Sequence, residues 1–264
     1  MSKRIAVTGA NGFVGSHACP RLRKEGFKVL EISRHNGIDI MKPSLKEKME
    51  PFHPDAVLHL AIADGPPFDT NSQGTLNVAR VSEKLGVKQF IYMSTSSVYG
   101  EARYLPVDEK HPTNPITDYG RSKLAGERNA LGVFPNALIL RLFNPYGKGR
   151  TYFRKYPLLP PLMAGSPDRL EDFIYIDDVV DAIIMSIKKG WKGTLNLASG
   201  EGTACADFAR LIFGDRIKPM FIRNTDAERM VADISKIKKL GWRPKTELKV
   251  GVAKMMKEMG ARIL

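Results

Sequence analysis

Cysteine is nearly absent. Cys19 and Cys205 are the two in 264 residues, which excludes a disulfide-framed scaffold and any cysteine-rich metal spacing. No run approaches the ~18 consecutive apolar residues of a membrane-spanning helix. Met1-Ser2-Lys3-Arg4 leads into an apolar stretch that stops at Thr8, too short for a secretory signal. These absences predict a soluble, cytoplasmic, unprocessed protein with no membrane partner. Acidic residues are also in deficit, 28 against 41 Lys and Arg, for a formal charge of +13. Such a surplus suits anionic partners. The chain nevertheless has no zinc-ligand spacing, no RNA-recognition signature and no aromatic stripe between its basic residues, which argues against a metal centre and against nucleic acid. A negatively charged small molecule fits the charge better.

Apolar residues make up 43% and charged residues 26%, an ordinary globular mixture. Short β-branched runs at 4–8, 28–33, 56–60, 89–94, 137–143 and 194–198 alternate with amphipathic segments, notably 13–25, 71–85 and 118–131. This alternation predicts an α/β, Rossmann-like, doubly wound parallel sheet with helices on both faces. Pro20 falls inside the first helix and predicts a kink there. From 145 to 170 the chain turns rich in proline, glycine and basic residues, and after Gly200 it is helical and irregular. The resulting division is a dinucleotide-binding domain of 1–144 plus 173–200 and a smaller C-terminal substrate lobe of 145–172 plus 201–264. That lobe is expected over the carboxyl ends of the strands, where open α/β sheets bind ligands.

The segment Thr8-Gly9-Ala10-Asn11-Gly12-Phe13-Val14-Gly15 directly follows the first strand and opens the first helix. Its glycines fall at the tight turn, at the phosphate approach and at the helix–strand contact of a dinucleotide site. The positive helix end then faces a pyrophosphate. The second strand ends Ile32-Ser33-Arg34, without the carboxylate that accepts the ribose hydroxyl in an NAD site. Serine followed by arginine suits a 2′-phosphate, so NADP is favoured over NAD.

Tyr119 and Lys123 stand four residues apart on a predicted helix, one turn apart on one face. A phenol with pKa near 10 is a poor base at neutral pH. An ammonium ~4 Å away contributes on the order of 4 kcal/mol at an effective dielectric of 20, equivalent to ~3 pKa units before desolvation opposes it. The fourth strand ends in the hydroxyl-rich run Ser94-Thr95-Ser96-Ser97, where a substrate oxygen could be held.

The glycine turn, His59-Leu60-Ala61, Asn71 with Gly74-Thr75, the 94–100 segment, Tyr119/Lys123 and Leu140-Arg141-Leu142-Phe143-Asn144-Pro145-Tyr146-Gly147 together resemble the extended short-chain dehydrogenase/reductases, specifically the NAD-dependent epimerase/dehydratase family acting on nucleotide sugars. Ala232-Asp233, Leu240-Gly241-Trp242 and Pro244 extend the likeness toward the carboxyl end.

The resemblance implies Tyr119 as acid/base at a sugar hydroxyl, Lys123 beside it on the nicotinamide ribose, and Thr95 as hydroxyl partner of the reacting oxygen. It further implies Asp39 and Ile40 by adenine, Leu60, Ala61 and Asn71 lining the cofactor pocket, Asn144 at the substrate diphosphate, and Arg223 and Asp226 on the substrate phosphates and ribose. Two-fold homodimers are usual in the family.

Three departures qualify the likeness. Thr95-Ser96-Ser97 stands where the dehydratases carry Thr-Asp-Glu, which argues against dehydration. Glu171 stands where the family has a phosphate-binding arginine, with Arg150, Arg154 and Arg169 as candidate substitutes. The stretches between His59 and Asn71 and from 145 to 170 are shortened. His59 itself reads as a buried, hydrogen-bonded strand residue rather than a catalyst. The leading expectation is an NAD(P)-dependent nucleotide-sugar oxidoreductase, specifically a sugar-nucleotide 4-epimerase using a Tyr/Lys/Thr site for hydride transfer. The rivals are a one-way NADP-dependent ketosugar or carbonyl reductase, and a non-catalytic dinucleotide sensor or nucleic-acid binder.

Overall fold

The computed structural model describes residues 2–62, 69–150, 162–164, 166–215, 220–222 and 227–260. Its first half runs β1 (Arg4–Thr8), α1 (Phe13–Lys24), β2 (Lys28–Ile32), α2 (Ser44–Met49), β3 (Ala56–His59), α3 (Thr75–Lys84), β4 (Gln89–Thr95), α4 (Asp118–Val133) and β5 (Leu138–Leu142). The second half runs β6 (Asn144–Tyr146), β7 (Leu162–Ala164), β8 (Leu170–Tyr175), α5 (Ile176–Lys189), β9 (Gly193–Leu197), β10 (Gly202–Ala204) and α6 (Cys205–Phe213). It ends with β11 (Met220–Ile222), β12 (Arg229–Met230), α7 (Ser235–Lys239) and α8 (Leu248–Glu258).

Six strands form one sheet in the order β2-β1-β3-β4-β5-β9, and every pair in it is parallel. Successive strand side chains point to opposite faces, and a parallel sheet covered on both sides needs both sets apolar. Ile5 and Val7 of β1, with Ile91 and Met93 of β4, share a core with Ala18 and Leu22 of α1 and with Val179 and Ile183 of α5. Ala6, Phe90 and Tyr92 pack on the other face against Leu45 and Met49 of α2, Val78 of α3 and Ala130 of α4. The doubly wound arrangement expected from the sequence is present, with strand limits within a residue or two of the apolar runs. Pro20, where a kink is expected, does not end the helix: α1 continues through it to Lys24, with Pro20 on the exposed face. There, solvent can serve the carbonyl its ring leaves unpaired.

Beyond the sheet, β8 pairs antiparallel with β10 and parallel with β12 and β6. Asp172 of β8 is the buried hub of this region. Its carboxylate accepts from Ser199 N at 2.7 Å, Ser199 Oγ at 2.6 Å, Gly200 N at 2.9 Å and Ala232 N at 3.2 Å. Burial still pushes its pKa up to about 6 against the pull of those donors. One side chain thus ties the end of β9 and the chain after β12 to the strand that faces the site.

Candidate active site

At the carboxyl ends of the sheet strands lies a cleft of about 450 Å³. The turn after β1 forms one wall. Gly9 has φ +69°, a left-handed conformation, and a Cβ there would meet Ala61 N at 2.7 Å. A Cβ on Gly15 would overlap the carbonyl oxygens of Gly9 and Ala10. Only hydrogen fits at either position, so the backbone can approach a ligand as no side chain would allow. Helix α1 begins at this turn with no side-chain cap, leaving its first amides to serve an anion. The cradle fits a dinucleotide pyrophosphate.

Below the turn, hydrogen bonds lock the floor. Ala61 N donates to Thr8 Oγ1 at 3.3 Å, and Thr75 Oγ1 donates to Asn71 O at 2.6 Å. His59 lies between them, with Nδ1 2.6 Å from Thr8 Oγ1 and Nε2 3.0 Å from Thr75 Oγ1. Since the hydroxyl of Thr75 is committed to Asn71, His59 Nε2–H donates to it, and Nδ1 accepts from Thr8. Burial first, and the charge of Lys123 second, hold this imidazole down to about 3. His59 is a neutral strut, as its sequence context suggested.

The opposite wall is set by helix α4. Thr117 caps it, accepting from Gly120 N at 3.0 Å. A Cβ on Gly120 would lie 2.5 Å from Ser97 O, and one on Gly126 would strike the Tyr92 hydroxyl. These two glycines let the helix lie directly on the end of β4, which carries Tyr119 to Thr95 and Lys123 to the Tyr92 ring. They were not singled out in the sequence, where they look like weak points of a helix.

Gly9, Gly12, Phe13, Val14, Gly15, Leu60, Thr95, Tyr119, Lys123 and Asn144 all line the one cleft. Asn11, Ser33, Arg34, Asp39, Ile40, Ala61 and Asn71 stand outside its lining. Ser33 Oγ donates to Asn11 Oδ1 at 2.5 Å, and Asp39 Oδ1 accepts from Met41 N at 2.9 Å. Ile40 is buried with its carbonyl accepting from Asn77, and Asn71 is buried with Nδ2 donating to Ser122 Oγ at 3.0 Å. Arg154, Arg223 and Asp226 lie outside the described residues. Glu171 does line the cleft, and it forms an ion pair with Arg169.

The electrostatics depart from the simple ammonium–phenolate pair. Tyr119 keeps 37% of its surface open, but its phenol sits among protein atoms. Burial pushes its pKa up, and the Arg150 guanidinium and the Thr95 hydroxyl only partly offset that push. Lys123 does not figure among these influences. Its Nζ lies 4.2 Å from the centroid of the Tyr92 ring, and the residue is 1% exposed. Burial pushes it down to about 7, opposed by Glu127. The expected ~4 kcal/mol attraction at ~4 Å assumed a fully charged amine beside the phenol; here the amine is itself destabilised by burial and is turned to a ring face.

Because the folded state holds Lys123 below its unfolded value, the unfolded chain binds more protons between about pH 7 and 10.5. Stability should therefore rise with pH across that window, at up to about 1.4 kcal/mol per unit. Lys123→Met should flatten the rise in a series of denaturant melts; an unchanged slope would contradict the assignment.

Among the described residues no helix is long and apolar enough to cross a membrane, and no group of His, Cys, Asp and Glu is placed to hold a metal. Comparison with known proteins agrees with the geometry. A Methanocaldococcus jannaschii protein provisionally named a UDP-glucose 4-epimerase is 30% identical, covering 97% of this chain and 98% of its own. The Thermotoga maritima UDP-glucose 4-epimerase, solved with UDP-glucose, superposes with a TM-score of 0.87 at 25% identity over 97% of this chain and 98% of that one. The Bordetella bronchiseptica enzyme WbmG, solved with NAD, gives a TM-score of 0.85 at 25% identity over 100% and 97%. The model of the NAD-dependent epimerase/dehydratase family matches residues 5–198, and this chain belongs to that family, as an enzyme of the extended short-chain dehydrogenase/reductase type using an NAD(P)-type dinucleotide.

Proposed function

We propose that this protein is a nucleotide-sugar 4-epimerase acting on a UDP-hexose. The observation that carries the reading is the convergence of Tyr119, Thr95 and Lys123 on the cleft that the glycine turn also lines. A bound nicotinamide supplies reversible two-electron redox chemistry at the sugar carbon. Gly9, Gly12 and Gly15 hold the pyrophosphate, and Ser33 with Arg34 favour a 2′-phosphate at the far ribose. Tyr119 in its ionised form takes the proton from the reacting sugar hydroxyl and returns it to the same oxygen after the sugar has presented its other face. Thr95 hydrogen-bonds that oxygen, and its contact with the Tyr119 hydroxyl keeps donor and acceptor aligned. Asn144 serves the substrate diphosphate, and Arg223 and Asp226 the substrate phosphates and ribose. Ser96 and Ser97 offer hydroxyls rather than the acids that expulsion of water would need.

The purified protein should interconvert UDP-glucose and UDP-galactose with many turnovers per dinucleotide and no net change in reduced-nicotinamide absorbance. Cofactor consumed in step with product would favour the one-way reductase instead. Titration with both dinucleotides should give tighter binding of NADP, and Arg34→Ala should erase that difference.

A further inference from the structure

We propose that Glu127 is a positioning residue of this reaction: a buried carboxylate, clamped by Arg141 and Ser94, that supports the Lys123 ammonium from behind the cleft. The proposal rests on the Tyr119/Lys123 reading above. Residues 119, 123 and 127 fall one turn apart on the same face of α4, so Glu127 leaves the helix on the side from which Lys123 and Tyr119 also leave it.

Glu127 is 3% exposed and Arg141 is 7% exposed. Arg141 Nε donates to Oε1 at 3.0 Å and Nη2 to Oε2 at 2.8 Å, a two-point fork. Ser94 Oγ donates to Oε1 at 2.5 Å. Arg141 is held in turn, its guanidinium carbon 4.8 Å from the centroid of the Tyr99 ring, and Tyr99 OH donates to Asn196 Oδ1 at 2.6 Å. The carboxylate is therefore fixed in position by a cation from β5 and a hydroxyl from β4. Ser94 directly precedes Thr95, so the same clamp also steadies the strand end that presents the Thr95 hydroxyl to the cleft.

Among the described residues, the Lys123 amine is faced from β3 by His59, held neutral; from β4 by the Tyr92 ring; from its own helix by Glu127; and behind Glu127 stands Arg141 of β5. Burial alone expels charge from such a place. Glu127 is the negative group that opposes it. A carboxylate serving only to bind Arg141 into the core would stabilise the fold and leave Lys123 indifferent to its removal, so the titration of Lys123 separates the two roles.

The test is lysine-Nζ NMR on the full chain without added ligand, with the Lys123 signal identified by its loss in Lys123→Arg. Glu127→Gln should lower the Lys123 midpoint by about one pH unit or more. Glu127→Asp should keep most of the wild-type value. Arg141→Gln should move it the opposite way, because Lys123 then becomes the principal counter-ion of the carboxylate. A general loosening of the core would move the Gln variants in the same direction. A Lys123 midpoint unchanged in folded Glu127→Gln, or shifted alike by Glu127→Gln and Arg141→Gln, overturns the proposal. If Glu127→Gln fails to fold, the Asp variant and the sign of the Arg141→Gln shift still decide. The reading of the site as a nucleotide-sugar epimerase fails separately, by absence of turnover in the unmodified protein.

Discussion

Replacing Tyr119 by phenylalanine is expected to lower turnover by about 10²–10⁴-fold, the usual worth of a positioned acid–base group, while dinucleotide affinity is unchanged. The ring stays in the cleft wall and only the hydroxyl is lost, so the contacts that hold the cofactor survive. The measurement is steady-state turnover beside a calorimetric titration of the dinucleotide. Retained turnover would remove Tyr119 from the chemistry; lost affinity would recast it as a binding residue. The upward push on its pKa has a second consequence. Since the ionised phenol is the working base, turnover in the wild type should climb as pH rises from neutrality, and the residual activity of the Phe variant should lack that climb.

Gly9→Ala is expected to have an effect of comparable size on binding. The left-handed φ of +69° costs about 1–2 kcal/mol for any residue with a Cβ. The Cβ would also lie 2.7 Å from the backbone of Leu60 and Ala61, and forcing backbone aside in a packed site costs about 1–3 kcal/mol more. The turn must open, so dinucleotide affinity should fall by about 100-fold, at 1.4 kcal/mol per tenfold. Gly26→Ala is the control: its φ is +86° but nothing lies within 4 Å of the added carbon. That variant should lose about 1–2 kcal/mol of stability and bind the dinucleotide as the wild type does. Equal loss of affinity in both variants would show that strain, not the closeness of the turn to Ala61, governs binding.

The parts of this protein legible in its sequence are those in which a local pattern carries the physics. Apolar runs buried on both faces marked the strands of the sheet, and the glycine turn declared itself by following a strand and opening a helix. The spacing of Tyr119 and Lys123 placed both on one helix face. What was not legible depends on contacts across the fold. Gly120 and Gly126 look like defects of α4 until Ser97 and Tyr92 are seen pressed against them. Arg141 is a lone cation in an apolar strand, and only the packing of α4 on β4 and β5 brings Glu127 to it. Asp172 reads as one acid among several, and its four donors come from Ser199, Gly200 and Ala232, far along the chain. The ammonium–phenolate pair follows from spacing and from the family resemblance, but spacing fixes which face a side chain leaves from and not where a long flexible amine comes to rest.

A crystal structure with the dinucleotide bound tests the central claim most directly. The account predicts the pyrophosphate against the backbone of Gly9, Gly12 and Gly15, and the nicotinamide end within reach of Tyr119 and Lys123. A dinucleotide bound away from the glycine turn, or with its nicotinamide end remote from Tyr119, would contradict it.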